Sequence, residues 1–123
     1  MKRVPLQNMT APQLVERFIA IALEQGDALL MDETAKYNRL FDQMEKVEAE
    51  LKSRDGDQRR MLLRLFNHPR AGVRLKAAEA TLALAPEAAR RVLQTIKERR
   101  EYPQALYAGM TLWNLDRGVF KPT

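Results

Sequence analysis

The side chains of this sequence that could bind an ion or a substrate are mostly arginines, concentrated in the middle of the chain. The chain has a formal net charge of +5, and residues 54–100 hold twelve Lys or Arg against five Asp or Glu. A guanidinium stays charged at neutral pH and pairs with carboxylates and phosphates through a planar fork of donors. We therefore predict a candidate anion-binding or partner-binding face. Its residues are Arg60, Arg64, Arg70, Arg74, Arg90, Arg91, Lys97 and Arg100.

Residues that could carry out catalysis are scarce. His68 is the single histidine, Ser53 is the single serine and the chain has no cysteine, which argues against a catalytic triad and rules out a thiol nucleophile. A metal site would need His68 to be completed by carboxylates alone, so we expect His68 to be a corner residue. No glycine-rich phosphate loop occurs. We predict no catalytic, metal-binding or cofactor-binding residues and no enzymatic activity.

The last apolar segment carries a different kind of candidate site. Leu106, Met110 and Trp113 recur at helical spacing in a predicted helix over about 104–116. Tryptophan is enriched at binding hot spots, whereas the alternative for Trp113 is packing in the core or at its edge. We predict these three residues as a candidate apolar interface. The same face would be the contact between two copies if the chain is a homodimer and not a monomer.

Helices must position these residues, because apolar side chains recur with helical period along most of the chain. Thr10 and Gln13 have the spacing of a capping box and predict a helix from there to about Leu30. A second helix over 33–53 carries a heptad-like seam, which we expect to pack antiparallel on the first helix; a coiled-coil dimer is the alternative. The seam consists of Tyr37, Leu40, Met44, Val47 and Leu51.

The stretch 62–84 is predicted to end one helix and begin another at a proline-containing corner. The residue before a proline is driven out of the helical region, so the first helix should end at His68-Pro69. Its apolar face contains Leu62 and Leu65, with Arg59 outside. The helix after the corner has two apolar stripes and should be buried from two sides. The short connection predicts an antiparallel hairpin, and a degenerate second hairpin is predicted over about 87–116.

This corner resembles the signature of HEAT and armadillo-type repeats. The resembling residues are Leu62-Leu63, Pro69, Val73-Arg74 and Ala77-Ala78. Such hairpins bury their apolar faces by stacking on one another. The predicted fold is all-α, with antiparallel helical hairpins stacked as a short HEAT-like α-α superhelix of about six helices. We expect a flexible tail over 1–9 and a single helical domain over 10–123, made of a helix pair (10–53) and HEAT-like hairpins (54–123).

Roughly residues 14 to 122 also resemble a small bacterial family, the one numbered two thousand and nineteen among the domains of unknown function. The resembling segments are Tyr37 to Asp42, His68-Pro69, Val73 to Ala78, Ala85 to Ala89, Tyr102 to Ala105, Ala108 to Leu112 and Phe120 to Pro122. The resemblance implies a HEAT-like helical fold and implies no activity. It therefore leaves the function to be argued from the residues.

The preferred hypothesis is a non-enzymatic helical interaction module that binds another, unidentified protein, in an adaptor or immunity-type role. The alternative is a nucleic-acid-binding module that uses the basic face of residues 54–100, because cationic side chains bind phosphates. An enzyme, the third hypothesis, would need paired carboxylates in a pocket. The absence of cysteine fits the cytoplasm, and no apolar run approaches the length that spans a membrane, so we predict a cytoplasmic protein without membrane contact.

Overall fold

The computed structural model describes residues 4–123 of the chain, and all of their regular structure is helical. The predicted all-α class with about six helices is confirmed. The five α-helices are α1 (Ala11–Leu30), α2 (Thr34–Ser53), α3 (Ala71–Ala80), α4 (Pro86–Glu98) and α5 (Gln104–Asp116). A ten-residue 3-10 helix, Gln58–Asn67, takes the place of the predicted third helix, and a single 3-10 turn occupies Leu6–Asn8.

The chain forms two compact units, which we call the N-terminal unit (up to Met61) and the C-terminal unit (Leu62–Thr123). The single domain over 10–123 and the flexibility of the tail over 1–9 stay predictions. Residues 1–3 of that tail lie outside the described residues. The rest of it includes the turn Leu6–Asn8, whose Leu6 carbonyl accepts a hydrogen bond from Nη2 of Arg54 at 3.1 Å.

The N-terminal unit is a hairpin of α1 and α2, joined by only three residues. The predicted capping box is confirmed: Gln13 N–H donates to Thr10 Oγ1 at 3.2 Å, and Thr10 N–H donates to Gln13 Oε1 at 2.8 Å. The heptad-like seam of α2 is buried against α1 from Leu40 to Leu51. The seam is therefore used within the chain, by the neighbouring helix.

The long 3-10 helix differs from the predicted α-helix in the spacing of its buried residues. Arg59, Leu62 and Leu65 are all buried, and residues three apart line up on one side of a 3-10 helix, which has three residues per turn. The prediction that Arg59 lies outside is therefore wrong. The predicted hairpin between this helix and α3 is also wrong, since the two are not among the closely packed helix pairs of residues 4–123.

The C-terminal unit packs α3, α4 and α5 around one core. Both predicted stripes of α3 are buried from Val73 to Leu82. The helix ends at Ala80 and not at Leu84, and Leu84, the last residue of one stripe, is exposed. The core continues through Leu93 and Ile96 of α4 and through three residues of α5. The hairpin predicted over 87–116 is confirmed as the pair of α4 and α5, which pack closely along their length.

Among residues 4–123, none of the helices combines the length and the apolar character that crossing a bilayer requires.

Candidate functional site

The eight cations predicted as one face are distributed over separate elements, and several of them already have partners. Arg60 lies in the N-terminal unit, where its guanidinium hydrogen-bonds the Gly56 carbonyl. Arg64 is exposed on the long 3-10 helix, Arg70 precedes α3, and Arg100 follows α4 with a left-handed backbone (φ 54°). The other four cations are Arg74, Arg90, Arg91 and Lys97. Whether each of them faces solvent depends on its position around its helix and on whether it has an ion-pair partner.

Arg74 makes three side-chain hydrogen bonds that connect two segments of the C-terminal unit. Its Nη1 and Nη2 donate to the two carboxylate oxygens of Glu101 at 2.8 and 2.7 Å, and its Nε donates to the His68 carbonyl at 2.8 Å. Glu101 lies in the connection between α4 and α5, whereas His68 lies at the corner before α3. Arg74 thus ties these two segments together as a structural residue.

His68 itself is a corner residue, as predicted. Its Nδ1 accepts a hydrogen bond from the backbone N–H of Arg70 at 3.1 Å. Within residues 4–123, no group of three His, Cys, Asp or Glu side chains is arranged to hold a metal ion.

Arg90 and Lys97 lie on the side of α4 that faces α5. The Nη1 of Arg90 is 2.7 Å from Oδ1 of Asp116, and the Lys97 side chain lies over Gly109, its Cδ 3.8 Å from the position that a Cβ would take. Arg90 is thus part of an ion pair that connects the two helices at the surface.

Arg91 lies on another face of α4, where it lines a groove together with Arg99. Successive helical residues turn by about 100°, so these two side chains face away from the side that packs on α5. The groove, which we call the basic groove, has a volume of about 660 Å³ and runs between α4 and the corner at Asn67 to Pro69. Sequence reasoning included Arg91 and omitted Arg99, because the groove depends on how the corner packs against α4.

The candidate apolar interface lies on the outer face of α5 and is exposed. Leu106, Met110 and Trp113 are 60%, 58% and 64% accessible, and Tyr102, in the connection that precedes α5, is 61% accessible. We call these four residues the apolar stripe. Trp113 is therefore not a core residue, and the Cζ of Arg117 lies 5.3 Å from the centre of its ring. No charged residue occurs from Tyr102 to Leu115.

Two carboxylates have lowered pKa values because arginines hydrogen-bond to them. The hydrogen bond from Arg74 lowers the pKa of Glu101 below its ordinary 4.5, with a further contribution from the charge of Arg99. The hydrogen bond from Arg59 lowers the pKa of Asp57 below its ordinary 3.8, aided by the charge of Lys52. Burial opposes both shifts, so the ion pairs outweigh desolvation at each site.

These shifts predict a loss of stability in acid. A carboxylate with a lowered pKa in the folded state stabilises the fold above its unfolded pKa, and this contribution disappears as the pH falls through the folded value. We therefore expect the urea midpoint to fall as the pH decreases below about 4.5. Glu101→Gln should flatten this dependence in the C-terminal unit. Glu98→Gln, the control, removes an exposed carboxylate and should leave the slope unchanged; equal slopes for all three proteins would contradict the prediction.

Comparison with known proteins finds a family and a solved structure. The family model described as Domain of unknown function (DUF2019) matches residues 12–116. The chain is similar to the protein RPA1889 from Rhodopseudomonas palustris CGA009, whose crystal structure shares 48% sequence identity with it at a TM-score of 0.92. The similarity covers 98% of this chain and 100% of that one. No curated protein matches the sequence.

Proposed function

The chain belongs to the DUF2019 family of domains of unknown function, and from the geometry of α5 we propose that it is a non-enzymatic module that binds another protein through the apolar stripe. The observation that carries this proposal is the exposure of three large apolar side chains in a row on α5, with Tyr102 exposed just before the helix. Burying such side chains in a partner would remove apolar surface from water, at about 25 cal/mol per Å².

The composition of the stripe supports a protein as its partner. Aromatic residues and methionine are enriched in the centres of protein interfaces, where charged residues are depleted. The stripe includes Tyr102, Met110 and Trp113, and no charge interrupts it. The two charges that follow it are occupied, Asp116 by Arg90 and Arg117 by the ring of Trp113. A mainly apolar surface on the partner is the best complement.

The wider setting of this proposal is a bacterial, cytoplasmic protein with HEAT-like hairpins in an adaptor or immunity-type role. The close packing of α4 with α5 and the absence of cysteine support it. A second copy of the chain is one form that the partner can take, because an uncharged face does not repel itself.

Site-specific photo-crosslinking in the source cells tests this function. A photo-reactive residue at position 106 should give a discrete crosslinked product, because that position lies within the stripe. The product should fall by about tenfold or more in a Met110→Ser, Trp113→Ser background, since truncating hot-spot residues commonly costs at least that much affinity. A product at twice the chain mass would identify a second copy as the partner.

The matched control places the photo-reactive residue at position 30. Leu30 and its neighbour Met31 are also large, apolar and highly exposed, at 72% and 71%, but they lie at the end of α1. No discrete product is expected there. Equal products from positions 30 and 106, or none from position 106, would contradict the proposed function.

Nucleic-acid binding is the second candidate, and exposed cations favour it. Arg64, Arg70, Arg91 and Arg100 are exposed and form no ion pair within residues 4–123. Arg74 and Arg90 lend it less support, because carboxylates already neutralise them. If this candidate is right, the affinity for DNA or RNA should fall steeply as the salt concentration is raised, because phosphate contacts release counterions.

A further inference from the structure

The basic groove of the C-terminal unit is lined by residues other than those of the apolar stripe. One wall is a face of α4 that carries Ala88, Val92 and Thr95, and the other wall includes Phe66 and Pro69. Most of these side chains are half-buried. Its volume of about 660 Å³ falls within the range of about 300–1,000 Å³ that is typical of ligand-binding clefts. The lining of the groove is therefore mixed, with apolar side chains between more numerous polar ones.

Two arginines without partners line the same groove. The side chains of Arg91 and Arg99 form no hydrogen bond or ion pair within the described part of the chain, and both residues are exposed. Arg91 lies on α4 and Arg99 directly follows its last residue; at 1.5 Å per residue, their backbone positions differ by about 12 Å along the helix axis. The ion pair of Arg74 and Glu101 also lines the groove, so that third guanidinium is already neutralised.

We propose that the basic groove binds an extended acidic peptide segment of a partner protein. An extended chain rises about 3.3 Å per residue, so carboxylates four positions apart lie about 13 Å from each other and match the two arginines. The residue midway between them is apolar and packs over the side of α4 that carries Val92 and Thr95. The side chains of Asn67 and Thr95, which also line the groove, supply hydrogen-bonding groups for the peptide backbone.

The groove suits a peptide better than a nucleic acid. Duplex DNA presents one negative charge for every 1.7 Å or so of its axis, whereas the groove offers two unpaired cations whose backbone positions differ by about 12 Å along the helix axis. Single-stranded nucleic acids also need exposed aromatic rings on which bases stack, and the aromatic residue of the groove, Phe66, packs against the helical core.

A titration followed by NMR tests the proposal on the full chain. The probe is a five-residue peptide with blocked ends, glutamate at both ends and leucine in the centre. We expect saturable shifts of backbone amide signals that cluster at Val92, Thr95 and Arg99. Two control peptides keep the same length: in one, glutamines replace the glutamates, and in the other the two glutamates are adjacent. Both should bind about tenfold more weakly, because neither provides two separated carboxylates.

Two double variants with the same change in net charge give the matched comparison. Arg91→Gln with Arg99→Gln should weaken binding of the probe by about tenfold, since a charge-assisted contact is lost at each end. Arg64→Gln with Arg100→Gln removes two exposed arginines that do not line the groove and should change the affinity by less than about twofold. Circular dichroism should report the same helix content for both variants, because all four side chains are exposed.

Several results would overturn the proposal. These are the absence of saturable shifts at millimolar peptide, equal weakening by the two double variants, and equal binding of the peptide with adjacent glutamates. Tighter binding of a single-stranded oligonucleotide at the same amides would assign the groove to nucleic acid. The proposal concerns a second surface, separate from the apolar stripe. Its failure can be distinguished from failure of the proposed function, because the groove variants should leave crosslinking at position 106 unchanged.

Discussion

Replacing Arg74 by alanine is expected to lower the free energy of unfolding of the C-terminal unit by about 2–3 kcal/mol. The substitution removes a bidentate ion pair to Glu101 and a hydrogen bond to the His68 carbonyl at once. The Arg74 side chain is only 12% accessible and that of Glu101 28%, so water replaces these contacts only in part. Glu101 would regain hydration, which keeps the loss below that of a fully buried pair.

Hydrogen exchange measured by mass spectrometry checks this prediction unit by unit. Protection should fall in peptides from α3 to α5, and Arg74→Ala combined with Glu101→Ala should cost less than the sum of the two single changes. Arg90→Ala is the control, because it breaks the pair with Asp116, whose side chains are 38% and 65% accessible. Exposed pairs contribute at most about 1 kcal/mol. An effect of Arg74→Ala no larger than that of Arg90→Ala would contradict the structural role.

The helices could be predicted from the sequence because their signals are local. The capping box at Thr10 and Gln13 lies at the beginning of α1. The heptad-like seam of α2 predicted its buried face, from Leu40 to Leu51. Each of these signals depends on a few neighbouring residues. The capping box satisfies free backbone groups within one helix, and the seam buries one face of a helix against a single neighbouring helix.

The form of the helix over 58–67 could not be predicted in this way. Leucines at 62 and 65 fit both an α-helix and a 3-10 helix, since three-residue spacing occurs in each. The difference lies with Arg59, which is buried because Asp57 accepts its Nε and Nη2 hydrogen bonds at 2.9 and 2.6 Å. An arginine placed by pattern alone is assigned to solvent, whereas a bidentate partner allows it to be buried.

The sequence could predict which types of residue form the candidate site, but not which of them lie together in the structure. The sequence identified the arginines of the middle segment and the apolar residues Leu106, Met110 and Trp113. It could not separate Arg74 and Arg90 from Arg91, because their partners Glu101 and Asp116 are 27 and 26 residues away. Arg99 was missed for a related reason, since its place in the groove depends on the packing of the corner.

A buried glutamine in α1 gives the other large expected effect. Gln25 is 1% accessible, and neither its amide nitrogen nor its amide oxygen has a hydrogen-bond partner among residues 4–123. It occupies a buried position between Ile21 and Ala28 on the face of α1 that is otherwise apolar. A buried polar group without a partner loses its hydration and gains nothing in return, at a cost of about 1–3 kcal/mol.

Gln25→Met should therefore raise the free energy of unfolding of the N-terminal unit by about 1–2 kcal/mol, because methionine keeps the unbranched shape and removes both polar atoms. Hydrogen exchange in peptides from α1 and α2 measures the gain. Gln94→Met, at an exposed position of α4, is the control and should change stability by less than about 0.5 kcal/mol. A loss of stability in Gln25→Met would show that the amide is hydrogen-bonded in solution, with a trapped water as the natural partner. The glutamine would then fix the register of α1 on α2, as single buried polar residues do in other helix pairs.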